Sequence, residues 1–264
     1  MTIGTLTQED CELLRALRQL KLAGMANAVE NQLENENLYC NEGFTARLME
    51  AARAQIEYAR ERTYENMLRK ARLPFDTTLE SFGRLEDRGV SPGQLRALAE
   101  MRWVRKHVNI IIVGHTGTGK SSLASGIGEN AVRNGCRTAY YQTHELLDSM
   151  LALGGDHKAY TRAMKALSKV QVLILDDFLN AEVTRPRVDM LYNLLTQRSG
   201  TYPTIVCTQV RPDGFSGILK SQFAKDPNPP MASIDSIEDR IRNPSCVIEL
   251  KGPSLRGLED SSLS

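Results

Sequence analysis

The 264-residue sequence predicts an α/β fold: a five-stranded parallel sheet with helices on both faces, preceded by a small all-helical domain. Three observations carry this. No β-rich pattern occurs before Val108. From there on, short apolar runs alternate with helical stretches, the signature of βαβ units and a buried parallel sheet. The first run is followed at once by a glycine-rich segment and a helical pattern. At roughly 150 residues per domain the length allows one to two domains.

The N-terminal part is helical by periodicity. Leu13, Leu14, Leu17 and Leu20 recur at helical spacing, and Met25, Val29 and Leu33 follow at spacing four. A long charged helix is expected over Thr45–Leu73, with Leu48, Met49, Ala52, Ile56 and Ala59 along one side and Pro74 as its stop. Residues 1–75 are read as a helical domain and 76–107 as a connecting segment, with Trp103 packed near the junction. Residues 108–258 are read as the α/β domain and 259–264 as a frayed tail. The apolar runs are Asn109–Val113, Thr138–Tyr141, Val172–Leu175, Thr204–Cys207 and Cys246–Leu250. Helices are expected near 120–133, 144–152, 158–168, 186–199 and 234–241, with a loop over 223–235.

Composition excludes several classes. The hydrophobic fraction is 41% and the charged fraction 25%, which is globular usage and not that of a disordered chain. No apolar run approaches the roughly 18 residues of a membrane helix, and Met1–Asp10 lacks a secretion-signal pattern. Five widely spaced cysteines (Cys11, Cys40, Cys136, Cys207, Cys246) without a C-x-x-C pair indicate neither zinc nor a disulfide framework. A reducing, cytoplasmic location is expected. The net charge of +1 is unevenly spread. Residues 1–50 hold 4 basic and 8 acidic side chains, whereas 51–107 hold 12 and 8. That asymmetry suggests a basic surface on the second stretch.

The chemistry starts at Gly114-His115-Thr116-Gly117-Thr118-Gly119-Lys120-Ser121, which fits G-x-x-x-x-G-K-[ST] between a strand and a helix. Glycines there let successive N–H groups turn inward as an anion nest, and the helix adds its positive N-terminal end. Lys120 is placed to reach the β- and γ-phosphates of ATP, and the Ser121 hydroxyl to ligate Mg²⁺, with Ser122 adjoining. Val172–Leu175 runs into Asp176-Asp177. Buried carboxylates need a partner, and Mg²⁺ supplies one. Asp176 is read as holding Mg²⁺ through water and Asp177 as the group that polarises the attacking water. Cys207-Thr208-Gln209 ends the following strand, where Thr208 or Gln209 could touch the γ-phosphate. Lys158, Arg162, Lys165 and Lys169, spaced 4, 3, 4, fall on one helix face and form a candidate row for DNA phosphates. A second basic group comprises Arg60, Arg62, Arg69, Lys70 and Arg72. His144 and His157 lack metal-ligand spacing.

These residues together resemble the IstB-like family, the AAA+ helper ATPases of bacterial insertion sequences, whose relatives are DnaC-like helicase loaders and the DnaA initiator. Leu17–Met25 and Leu68–Pro74 look like its helical-domain signatures. Gly114–Ser121, Leu173–Phe178, Asp239-Arg240-Ile241 and Gly252-Pro253-Ser254-Leu255-Arg256 follow its ATPase pattern. The resemblance implies an AAA+ P-loop NTPase core with sheet order 5-1-4-3-2. It also implies ATP-bridged homo-oligomers, duplex DNA and a transposase as partners, and a bacterial cytoplasmic setting. It makes Arg240 the arginine finger acting on a neighbouring subunit, with Arg242 as competitor, and Arg256 a second phosphate sensor. The chain departs from the pattern at Leu179, where the family usually has Gly, and at Cys207-Thr208-Gln209, where Thr-Ser-Asn or Thr-Ser-Gln is usual. Phe215 replaces a frequent Trp, and the Lys225–Met231 loop is longer than typical. Alternative readings are a replicative helicase loader, a nucleotide switch with little hydrolysis, and a small-molecule kinase. The kinase would need a lid that the sequence lacks.

Overall fold

A computed structural model describes residues 6–80 and 88–254. They fall into two compact units that divide between Asn66 and Met67.

The first unit is helical: α1 (Gln8–Gln19), α2 (Ala23–Glu34), the single turn α3 (Glu36–Tyr39) and the start of the 28-residue α4 (Phe44–Ala71). Thr7 starts α1 with a capping box. Its hydroxyl accepts the Asp10 N–H at 3.2 Å and the Asp10 carboxylate accepts the Thr7 N–H at 2.9 Å. The predicted apolar side of α4 is not its packed side. Leu48, Met49 and Ile56 are 43%, 51% and 51% exposed. Ala51, wholly buried, marks the side that packs. The reason is Gly24 on α2. A Cβ there would sit 2.5 Å from Tyr58 Cβ and 2.8 Å from the Ala54 carbonyl, so the helix backbones meet through small residues. Polar bonds replace bulk at this seam: Gln55 Oε1 accepts the Met25 N–H at 3.2 Å, and Gln32 Nε2 donates to the Arg47 carbonyl at 3.0 Å. Of the first leucine series only Leu14 is buried, with Leu20 70% exposed. The long helix ends at Ala71, before the predicted Leu73, because Arg72 turns into the left-handed region at φ 56°.

The second unit holds the sheet. Two helices occupy the predicted connecting segment: α5 (Pro92–Ala99), with a Ser91/Gln94 capping box, and α6 (Arg102–Arg105). Trp103 on α6 is buried and donates Nε1–H to the Leu98 carbonyl at 3.2 Å. Then come β1 (Asn109–Val113), α7 (Lys120–Arg133), β2 (Thr138–Gln142), α8 (Thr143–Ala152), α9 (His157–Ser168) and β3 (Val172–Asp176). They are followed by α10 (Arg185–Arg198), β4 (Thr204–Thr208), α11 (Phe215–Gln222), α12 (Met231–Arg242) and β5 (Ser245–Glu249). All pairings are parallel and the order is β2-β3-β4-β1-β5, the predicted 5-1-4-3-2 read from the other edge. Two expectations are corrected. Helix α11 at Phe215–Gln222 lies where the sequence predicts no helix. The predicted loop over 223–235 ends at Pro230, from which α12 starts, since proline cannot donate an N–H and suits a helix entry.

Strand parity sorts the core into two faces. Ile111, Val113, Leu173, Leu175 and Val206 pack with α8–α12. Ile110, Ile112, Ile174, Ile205 and Cys207 pack with Leu123, Ala124 and Ile127 of α7. Asp176 continues the parity of Val172 and Ile174, so its side chain belongs to the α7 face.

One buried charge locks the amino end of strands β3 and β4. Arg198, the last residue of α10, is 1% exposed. Its guanidinium donates to the carbonyls of Leu167 (2.9 Å), Val170 (2.7 Å) and Pro203 (2.6 Å) and to Thr204 Oγ1 (3.1 Å). Burial draws its pKa down to about 9, which leaves it protonated at neutral pH. Arg198→Met keeps the aliphatic stem but strands these carbonyls. We expect a loss of about 3 kcal/mol or more, read as a lower urea-unfolding midpoint.

Candidate nucleotide-binding site

β1 runs directly into the glycine-rich loop. The loop's turns demand glycine at Gly117 (φ 82°) and at Gly119 (φ 91°), which is the N-cap of α7. A Cβ on Gly117 would lie 2.0 Å from Ser254 Oγ, so the segment after β5 covers the loop closely. Gly114 has the same character: its N–H donates to the Thr208 carbonyl at 3.2 Å, and a Cβ would lie 2.6 Å from Thr118 Oγ1. Thr118 closes the turn, its hydroxyl donating to the His115 carbonyl at 2.8 Å. Thr116 is exposed at the tip.

Lys120 is buried at the head of α7, and its ammonium donates to the carbonyls of Gly114 (2.9 Å) and His115 (3.0 Å). A cation folded over its own loop at a helix N-terminus builds a positive, donor-rich cradle for phosphate. Ser121 and Ser122 follow, half-buried, and the Ser122 carbonyl accepts from Thr77 Oγ1 at 3.1 Å.

Across the sheet, Asp176 is 1% exposed. Its Oδ1 accepts the Asp177 N–H at 2.9 Å, and its Oδ2 accepts the Tyr140 hydroxyl from β2. Burial, and then the neighbouring Asp176, push the Tyr140 phenol far above its ordinary pKa, so it remains a donor. Asp177 leaves the strand at φ 50°, a conformation Asp tolerates better than most residues. Its Oδ1 accepts from Asn180 Nδ2 at 2.7 Å. Leu179 is also left-handed, at φ 63°. That explains the glycine usual at this place in the resembling pattern: leucine costs about 1–2 kcal/mol there. Phe178 anchors the turn, fully buried against Phe215 with ring centroids 5.5 Å apart.

The structure therefore brings Gly114–Ser122, Asp176, Asp177 and Thr208 to the carboxyl end of the sheet. Thr208 is fully buried, and its hydroxyl accepts the Val210 N–H at 3.1 Å, whereas Gln209 beside it is exposed. Between them and α7 lies Cys207, whose thiol contacts the Lys120 carbonyl at 3.8 Å and is pushed well up in pKa by burial. Arg240 is not brought there. Its carbonyl accepts from Asn109 Nδ2 at 2.8 Å, at the start of β1, roughly 13–17 Å of strand away from the loop. Its guanidinium lies 5.1 Å over the Tyr192 ring and donates to the Ser236 carbonyl at 3.1 Å. Arg242 pairs with Glu238 at 2.6 Å. Arg256 and the tail 259–264 lie outside the described residues.

Sequence reasoning missed Tyr140, Gln142, Asn180 and Arg88. Arg88 donates to the Thr118 carbonyl at 2.9 Å from thirty residues upstream. The cation row is on α9 as predicted, with Lys169 as its C-cap. Lys158, Arg162, Lys165 and Lys169 are all exposed and, at 100° per residue, lie within an arc of about 60°. Met164 and Leu167 are the buried face of that helix. In the second basic group Arg60 pairs with Glu57 at 2.7 Å.

The donor set fits a hard divalent cation. Strand parity puts Asp176 on the sheet face that α7 covers, where Ser121 opens that helix, and both are oxygen ligands of the kind Mg²⁺ takes. Beside them the Gln142 side-chain oxygen is buried with no hydrogen-bond partner among the described residues, which suits a hydrated ion.

A parallel sheet with this strand order and a phosphate loop after its β1 strand defines an AAA+-type nucleotide-binding core. Residues 15–263 match the family model of the IstB-like ATP-binding proteins, and the chain belongs to that family. An insertion-sequence protein of Mycobacterium tuberculosis named for ATP binding is 32% identical over 251 residues, covering 94% of each chain. A similarly named IS1162 protein of Pseudomonas fluorescens is 31% identical over 199 residues, 75% of this chain and 85% of that one. In fold the chain is similar to DnaI (TM-score 0.51, 20% identity, 71% of this chain and 94% of that one). It is also similar to AMPPCP-bound DnaA from Aquifex aeolicus (TM-score 0.53, 17% identity, 70% and 53%). Among the described residues no helix is long and apolar enough to cross a membrane.

Proposed function

We propose that this protein is a Mg²⁺-dependent ATPase that assembles on duplex DNA in its ATP state and recruits and activates the transposase of an insertion sequence. The observation that carries the ATPase reading is the convergence of Lys120, Ser121, Asp176 and Asp177 at one end of the sheet. Membership of a family with insertion-sequence relatives supplies the setting.

In this reading the loop N–H groups of Thr116, Gly117 and Gly119 hold the phosphates, and Lys120 neutralises the β- and γ-oxygens. Ser121 and Asp176 hold Mg²⁺, which when bound offsets charge on the phosphates. Asp177 polarises the attacking water, and its bond to Asn180 keeps the carboxylate at the strand tip. Thr208 and Gln209 sense the γ-phosphate from β4. Arg240 is too far from its own loop, so it serves a neighbouring subunit, and ATP thereby bridges a homo-oligomer. Arg256 adds a second phosphate contact. Residues 1–75 form the partner-facing helical module and 108–258 the motor.

The row Lys158, Arg162, Lys165 and Lys169 neutralises DNA phosphates without reading sequence. The test is fluorescence anisotropy of a labelled random duplex of about 60 base pairs, with a matched single strand alongside, at stated salt. Duplex binding is expected with ATP or a non-hydrolysable analogue and is lost with ADP. Charge reversal at Lys158 and Arg162 should weaken it at least tenfold and flatten its salt slope by about two phosphate contacts. Preference for the single strand would favour a helicase loader. Equal duplex binding with ATP and ADP would overturn the ATP-state assembly.

A further inference from the structure

The cation end of the site contains a group with no part in the reading above. Tyr140 is 7% exposed, with its ring in the core on the α7 face. Its hydroxyl donates to Asp176 Oδ2 and accepts from Gln142 Nε2 at 3.4 Å. One phenol oxygen thus joins the carboxylate assigned to the cation to the Gln142 amide. Asp176 Oδ1 is separately fixed by the Asp177 N–H at 2.9 Å. With one bond on each oxygen, the carboxylate plane is set before any ligand arrives. Such preorganisation removes the ordering cost of binding, and outer partners of metal ligands orient them in this way. The same Gln142 amide that donates to Tyr140 leaves its oxygen buried and without a partner among the described residues.

We propose that Tyr140 is the positioning residue for the divalent cation. Its hydroxyl, bonded to Asp176 Oδ2, presets that carboxylate for a hydrated Mg²⁺, and Gln142 Oε1 accepts a hydrogen bond from one of the ion's waters. This rests on the Mg²⁺–ATP reading above and adds to it residues outside the phosphate loop and the Asp176-Asp177 pair.

Tyr140→Phe removes a single oxygen and keeps the ring. The full chain is titrated with a fluorescent ATP analogue first in EDTA and then with rising Mg²⁺. Affinity in EDTA should stay within about twofold of wild type, because the phosphate loop is untouched. The Mg²⁺ concentration for half-maximal tightening should rise about tenfold or more. A purely structural role would instead lower both affinities together. An unchanged Mg²⁺ midpoint in Tyr140→Phe overturns the proposal while leaving the ATPase reading intact. A wild-type affinity indifferent to Mg²⁺ overturns the Mg²⁺–ATP reading itself. Should Tyr140→Phe fail to fold, Gln142→Leu tests the water acceptor: its Mg²⁺ midpoint should rise about fivefold, the worth of one hydrogen bond. A midpoint equal to wild type would overturn that assignment.

Discussion

Lys120→Met should abolish nucleotide binding at concentrations that saturate the wild type. The methionine keeps the stem and removes the ammonium, which bonds the Gly114 and His115 carbonyls at 2.9 and 3.0 Å. Two effects add. The phosphates lose a charge-assisted contact worth about 1.5–3 kcal/mol, and the loop loses the cation that pins its carbonyls. The expected weakening is at least about a hundredfold in Kd, since about 1.4 kcal/mol is a factor of ten. Isothermal titration with ATP reads this directly, and the unfolding midpoint without nucleotide serves as the control for folding. A Kd within threefold of wild type would remove Lys120 from the phosphate site.

Asp177→Asn should do the reverse, sparing binding and removing turnover. The side chain stays the same size, and asparagine tolerates the left-handed backbone that Asp177 holds at φ 50°. Its carbonyl oxygen can still accept from Asn180 Nδ2, now at 2.7 Å from Asp177 Oδ1. What is lost is the negative charge that draws a proton from the attacking water, an effect worth about 10²–10⁴ in rate. ATP affinity should change less than about threefold. Because the variant stays in the ATP state, its duplex binding should persist after ATP addition, whereas the wild type's decays. Retained turnover in Asp177→Asn would show that this carboxylate has no chemical part.

The α/β core was legible because its strands are buried on both faces. Ile110–Val113 and Val172–Leu175 are continuous apolar runs with no polar alternation to confuse them. The phosphate loop was legible because its backbone needs glycine at fixed spacing. Strand parity alone then carries Asp176 to the face of Ser121. Other features left weaker traces. Helix α11 follows the turn cluster Pro212-Asp213-Gly214, which hides an eight-residue helix in what reads as loop. The packed side of α4 runs through Ala51, Ala54 and Tyr58 instead of Leu48, Met49 and Ile56. Only the close approach at Gly24 decides between those sides. Tyr140 reads as an ordinary strand tyrosine until the register sets Gln142 opposite Asp176. Arg88 meets the Thr118 carbonyl across a sequence distance that periodicity does not span.

The most direct test of the account is steady-state phosphate release by the wild-type protein with Mg²⁺ and ATP, with and without a duplex of about 60 base pairs. Asp177→Asn is run in parallel as the background. Turnover well above that background is expected, dependent on Mg²⁺ and raised by the duplex, as the proposed gathering of subunits on DNA would let Arg240 of one serve the phosphates of the next. Phosphate release equal to the Asp177→Asn background, in a protein that binds ATP tightly, would contradict it and make this protein a nucleotide switch.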